Sequence, residues 1–221
     1  MYELKQLTDR LALVHSTDVK IKPISVDFCS KELLYRCKSF SVAKEAIAKA
    51  IGFKKNKPAV SVIDATAGLG KDSFILATLG CKVQLIERSL VISALLKDGL
   101  ERARVCPHTA DIISNMHFIA GDAIEILSRL PTEQYPDIIY LDPMFPKRQK
   151  TALVKKEMLA LRDIVGTDLD CNELLTIALN VAKKRVVVKR PRLSPCLSEI
   201  APSFVLEGAA NRFDVYTPKI I

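Results

Sequence analysis

From Lys57 onward the chain keeps one rhythm: a short apolar run, a turn, then a stretch long enough for a helix. That alternation predicts βαβ units, and so a parallel sheet with helices against its faces. Ala59 to Ile63 reads as a first, buried strand and Lys71 to Leu79 as the helix after it. Lys82 to Ile86 is the second strand, followed by a helix over Leu90 to Arg104. Met116 to Ala120 is the third, with a helix from Ala123 to Leu130, and Asp137 to Leu141 is the fourth. Helices are expected over Ala152 to Arg162 and Asn172 to Lys183. Arg185 to Lys189, rich in β-branched valine, is a fifth strand. Ser203 to Leu206 and Arg212 to Tyr216 form a closing antiparallel pair. Parallel crossovers are right-handed, so the expected fold class is α/β: a doubly wound, mostly parallel, Rossmann-like sheet. Ligands of such sheets bind beyond the carboxyl ends of the strands.

The first 56 residues break this rhythm. Leu11 to His15 and Ile24 to Phe28 read as short strands, and Val42 to Ile51 as an amphipathic helix stopped by Gly52. The basic link Lys54-Lys55-Asn56-Lys57-Pro58 follows. Residues 1–56 are therefore expected to form a small N-terminal subdomain, and residues 57–221 the main domain. With 49% hydrophobic residues in 221, the chain has enough apolar material for a core of that size.

Between the first strand and its helix lies Asp64-Ala65-Thr66-Ala67-Gly68-Leu69-Gly70, a turn whose glycines let backbone amides approach a ligand. It is not a P-loop, which needs glycine at Ala65 and a hydroxyl residue at Asp72. A dinucleotide fingerprint would want a third glycine near Ser73, so a nicotinamide-dependent reductase fits poorly. Acids stand where successive strands end: Asp64, Glu87, Asp122 and Asp142. S-adenosylmethionine presents an amino-acid group, a ribose and an adenine but no phosphate, and a row of carboxylates suits it. Glu87 is placed to accept the ribose hydroxyls, and Asp122 with the Ala123 amide to meet the adenine amino edge. Each acid taken alone could equally be a helix cap or a solvated strand end.

Asp142-Pro143-Met144-Phe145 follows the fourth strand. An exocyclic nucleobase amine is a weak nucleophile, because its lone pair is delocalised into the ring. If the Asp142 carboxylate and the Pro143 carbonyl accept its two hydrogens, the nitrogen can turn its lone pair toward a methyl donor. Phe145 can stack on an extruded base. Lys147, Arg148 and Lys150 follow, with Lys155 and Lys156 beyond them, while Lys189, Arg190 and Arg192 follow the fifth strand. On the ligand edge these could track nucleic-acid phosphates. The net charge of +8 favours such a polyanionic partner.

Six scattered cysteines without a Cys-x-x-Cys pair, and three histidines without partners, suggest neither a disulfide framework nor a metal site. Ser194-Pro195-Cys196 could supply a thiolate for attack on cytosine, but it follows the fifth strand while the fourth already carries the amine-directed loop. No apolar stretch approaches the roughly 20 residues of a membrane helix, and the N-terminus lacks a signal-peptide core. A cytoplasmic protein is expected, without membrane or metal partners.

Together, Asp64 to Asp72, Leu85-Ile86-Glu87-Arg88, Tyr140 to Pro146, Ala152 to Met158 and Val186 to Pro191 resemble the ribosomal RNA small subunit methyltransferase J family. The resemblance runs from about Ser61 to Tyr216. It implies a class I fold and S-adenosylmethionine-dependent methylation of the N2 amine of one guanosine in 16S rRNA, guanosine-1516 in standard numbering. It further implies that Lys71, Asp72, Glu87, Arg88, Asp122, Ala123 and Asp142 contact the cofactor. Lys71 stands where the family pattern has arginine, and Asp122-Ala123 where some relatives have two serines. The partner implied is small-subunit rRNA or the assembling small subunit. Adenine-N6 or DNA amino-methylation, or a non-catalytic RNA-binding assembly factor on the same fold, are the alternatives.

Overall fold

The computed structural model of the protein describes residues 2–18, 20–38, 46–143, 170–208 and 210–218. At the amino end, β1 (Tyr2–Gln6) and β2 (Leu11–His15) pair as an antiparallel hairpin. Helices α1 (Lys31–Lys38) and α2 (Ala46–Ala50) follow. The βα rhythm then runs β3 (Ser61–Asp64), α3 (Lys71–Thr78), β4 (Lys82–Glu87), α4 (Leu90–Arg104), α5 (Ala110–Ile113), β5 (Met116–Ala120) and α6 (Ala123–Ser128). Beyond it come β6 (Ile138–Leu141), α7 (Cys171–Val181), β7 (Arg185–Pro191), β8 (Phe204–Glu207) and β9 (Asn211–Tyr216). These seven strands form one sheet in the order β5-β4-β3-β6-β7-β9-β8. Only the β9 pairings are antiparallel.

Each element expected between residues 57 and 221 and lying among the described residues is present, with bounds within two residues of those expected. The helix expected over Ala152 to Arg162 lies outside the described residues. Successive side chains of a strand face opposite sides of the sheet, and the two sides carry separate cores. Val62, Val83, Leu85, Tyr140 and Val187 pack with α3, α4 and the N-terminal residues. Ile63, Ile86, Ile139, Leu141 and Val188 pack with α6 and α7. All four residues of β6 are buried, as a central parallel strand covered on both faces requires.

The N-terminal part differs from expectation in one place. Ile24 to Phe28 is no strand: only Ile24 bridges, to Leu13. Ile24, Val26 and Phe28 are buried in alternation, which reproduces a strand's signature, but they pack onto helices. Phe28 stacks on Phe74 of α3 with centroids 5.0 Å apart. The Val26 carbonyl takes a hydrogen bond from the Arg102 guanidinium of α4 instead of a neighbouring strand. A Cβ on Gly99 would lie 2.3 Å from Val26 Cγ1, so glycine at that helical position is what admits the segment. Of the helix expected over Val42 to Ile51, Ala46–Ala50 is present and residues 42–45 lie outside the described residues.

Candidate active site

The sheet reverses its strand order at β3, which has β4 on one side and β6 on the other. The crevice beyond the carboxyl ends of β3 and β6 is the switch point where α/β sheets take ligands. The turn after β3 is stitched to both neighbours: Ala65 N–H donates to Tyr140 O at 3.0 Å and Ala67 N–H to Ile86 O at 3.0 Å. Gly68 and Gly70 have φ of 53° and 72°. A Cβ on Gly68 would meet nothing within 4 Å, so that point of the turn is open. A Cβ on Gly70 would lie 2.8 Å from Leu96 Cδ1 and 3.1 Å from Phe28 Cζ. Gly68 N–H donates to Glu87 Oε2 at 2.9 Å and Ser89 N–H to Oε1 at 2.8 Å, so Glu87 braces the turn from the end of β4.

Asp64, Asp72 and Asp142 converge beside this turn. Asp64 is 2% exposed and accepts from Ser73 Oγ at 2.5 Å and from Thr66 N–H at 3.2 Å. Burial pushes its carboxyl up to about 7, the charges of Asp72 and Asp142 add to the rise, and the two hydrogen bonds resist it. Asp72, in the first turn of α3, accepts from Tyr140 OH at 2.8 Å and Lys189 Nζ at 2.7 Å. Burial would raise its carboxyl, but the Lys189 ammonium and these two bonds outweigh it and hold it below the usual range. Asp142 accepts from the same Nζ at 2.7 Å, and its N–H donates to Thr66 Oγ1 at 2.6 Å. Enclosure by protein atoms and the Asp72 charge raise the Asp142 carboxyl against the pull of Lys189, although its side chain stays 39% exposed on the crevice side. Burial disfavours the Lys189 ammonium, yet the Asp142 and Asp72 carboxylates reverse that and raise its pKa.

Two carboxyl groups share one ammonium, so the wall carries more acid than base. An open point at Gly68 beside an acid-rich lining fits a cationic donor without phosphates.

On the far side, Asp122 caps α6, its Oδ1 accepting from Ile124 N–H at 2.8 Å and Glu125 N–H at 3.4 Å. The carboxylate expected at the adenine edge thus serves the helix end through Oδ1, while Oδ2 lies 3.7 Å from Arg88 Nη1. The same Nη1 meets Asp170, the residue before α7, at 2.6 Å. Ala123 is buried in the first turn of α6, Lys71 is exposed at the start of α3, and Pro143 is buried.

Two expectations about RNA contacts are corrected. Lys189 and Arg190 are consecutive in β7 and so point to opposite faces. Lys189 faces the carboxylates and is neutralised by them. Arg190 is 4% exposed and donates to the Pro195 carbonyl, which leaves no surface for a phosphate to approach. Phe145, Lys147, Arg148 and Lys150 lie outside the described residues, as do Lys155 and Lys156. Sequence reasoning missed Thr66, Ser73, Tyr140 and Asp170 as parts of the network. Tyr140 did carry a signal, since a phenol in the middle of a buried aliphatic strand needs a hydrogen-bond partner.

No group of three or more His, Cys, Asp or Glu able to hold a metal ion occurs among the described residues, and no helix there is long and apolar enough to cross a membrane.

A family model described as "Putative SAM-dependent methyltransferase" matches residues 1–218. The ribosomal RNA small subunit methyltransferase J of Thioalkalivibrio sulfidiphilus is 52% identical over 194 residues, covering 88% of this chain and 76% of its own length. That of Aeromonas salmonicida is 49% identical over 209 residues, covering 94% of this chain and 83% of its own length. A crystal structure of a SAM-dependent methyltransferase from Neisseria gonorrhoeae superposes with a TM-score of 0.76 at 37% identity, covering 95% of this chain and 80% of that one.

Proposed function

Because this chain belongs to the S-adenosylmethionine-dependent family of ribosomal RNA small subunit methyltransferase J, we propose that it methylates the N2 amine of one guanosine in 16S rRNA, guanosine-1516 in standard numbering. The observation that carries this reading is Asp142. Its backbone is fixed by Thr66 at the ligand crevice, its carboxylate is braced by Lys189, and part of it is open to solvent.

Bound S-adenosylmethionine supplies an electrophilic methyl group. Asp64, Gly68, Gly70, Asp72 and Glu87 would line its pocket, with Lys71, Arg88, Asp122 and Ala123 bordering it. Asp142 and the Pro143 carbonyl accept the two hydrogens of the guanine amine, which frees the nitrogen lone pair from the ring. Phe145 stacks on the base, and Lys147, Arg148 and Lys150 contact the RNA backbone. The acceptor is small-subunit rRNA, free or within the assembling particle, and the site of action is the cytoplasm. The net charge of +8 supports an RNA partner.

Asp142→Ala is expected to abolish methyl transfer to rRNA while S-adenosylmethionine still binds and the melting temperature stays near wild type. Tritium incorporation, followed by nucleoside analysis of the product, checks this. Wild-type turnover in the variant, or N6-methyladenosine as the product, overturns the reading. Comparing naked rRNA, assembly intermediates and finished subunits as acceptors identifies the form that is modified.

A further inference from the structure

Lys189 lies within β7, its ammonium 2.7 Å from Asp72 Oδ2 and 2.7 Å from Asp142 Oδ2. Its side chain is 21% exposed, between partners that are 19% and 39% exposed. The three residues come from different elements: Asp72 from α3, Asp142 from the loop after β6, and Lys189 from β7. No local spacing brings them together. The sheet does, because β6 and β7 are paired neighbours, with Leu141 opposite Val188.

We infer that Lys189 is a positioning residue for methyl transfer: clamped between Asp72 and Asp142, it keeps the Asp142 carboxylate charged and turned so that Oδ1 remains available to the substrate amine. The inference rests on the role proposed above for Asp142. Oδ2 is engaged by Lys189, and Oδ1 has no hydrogen-bond partner among the described residues. An ionised carboxylate is a stronger acceptor for an amine hydrogen than a protonated one, and Asp142 sits where ionisation is opposed. Asp72 faces it from α3, and Asp64 from the end of β3 contributes a further carboxyl. Tyr140 of β6 spends its hydroxyl on Asp72, and Arg36 of α1 acts on Asp72 by its charge. Among the described groups, Lys189 is the cation in direct contact with Asp142. It tips Asp142 toward the carboxylate and restricts its rotation at once, since one ammonium anchors it to Asp72.

The pH profile of kcat/KM separates this role from a merely structural ion pair. In Lys189→Met the acid limb should move to higher pH by about one to three units, the range expected when an opposite charge in contact is removed. Lys189→Arg should restore the limb toward wild type, because the charge returns. Asp72→Asn should move the limb the opposite way, to lower pH, because a like charge is gone and Lys189 then serves Asp142 alone. S-adenosylmethionine affinity and melting temperature are measured alongside. If Lys189→Met does not fold, Lys189→Gln, which keeps a donor and removes the charge, takes its place and should move the limb the same way. Acid limbs at the wild-type position in both variants overturn the inference, as does a loss of rate in Lys189→Met that is uniform across pH. The function and the inference fail differently. An active Asp142→Ala enzyme removes both, whereas an inactive one with unmoved limbs in the other variants removes only the role of Lys189.

Discussion

Asp64 sits 2% exposed at the end of β3, and burial lifts its carboxyl to about 7. A carboxyl whose folded value lies above its unfolded one contributes stability that is fully present below the unfolded value and lost as pH rises through the folded one. Without donor bound, the protein should therefore lose stability from about pH 4 to a little above pH 7, by up to about 1.4 kcal/mol per pH unit from this group. Asp72, held below its usual range, acts in the other direction and at lower pH, so the two windows do not coincide. Asp64→Asn keeps a carbonyl oxygen for Ser73 and Thr66 and cannot ionise. Its urea midpoint should change less between pH 5 and pH 8 than the wild-type midpoint does; equal changes would refute the assignment. Asp64 was legible in sequence as an acid closing a strand beside a glycine turn. Its environment was not, because Ser73 and Tyr140 reach the acids from positions that only folding brings near. Lys189 shows the same limit. A lysine after a strand reads as a phosphate contact until the two carboxylates it faces are known.

The turn from β3 into α3 is the element on which the site depends, and its two glycines do different work. At Gly68 a side chain would meet open space, so Gly68→Ala has mainly the left-handed backbone to accommodate, roughly 1–2 kcal/mol. At Gly70 the same backbone cost is joined by collision with Leu96 and Phe28, in a core that resists added volume at about 1–3 kcal/mol. Urea denaturation should rank Gly70→Ala as the more destabilised, by at least about 1 kcal/mol. Equal losses would mean that the turn relaxes away from α4. The βα alternation beyond Lys57 was readable because each buried strand is a short apolar run with a turn behind it. Ile24 to Phe28 shows where that code misleads: alternating burial arises wherever an extended segment lies on a core, with or without a neighbouring strand. What distinguishes the cases is where the backbone hydrogen bonds go, and here an arginine side chain takes the Val26 carbonyl.

For the whole molecule, the question is whether residues 1–56 fold apart from the sheet or with it. Leu13, Ile24, Val26, Phe28 and Ile47 belong to the same buried cluster as Phe74, Leu85 and Leu96, so the amino end supplies one wall of the main core. Phe28 is the connecting side chain. It is 1% exposed, stacks on Phe74 and lies against the position that a Gly70 side chain would occupy. Replacing a buried phenylalanine by alanine costs about 3–5 kcal/mol, a large share of the about 5–15 kcal/mol that holds a typical domain together. Phe28→Ala should lower the melting temperature of the entire chain and weaken S-adenosylmethionine binding through the loosened turn. Unfolding should remain a single transition, with far-UV and near-UV signals coincident. Two separated transitions, with only the first moved by the substitution, would show the amino-terminal part to be an independent unit and the packing of Phe28 on α3 to be dispensable for the site.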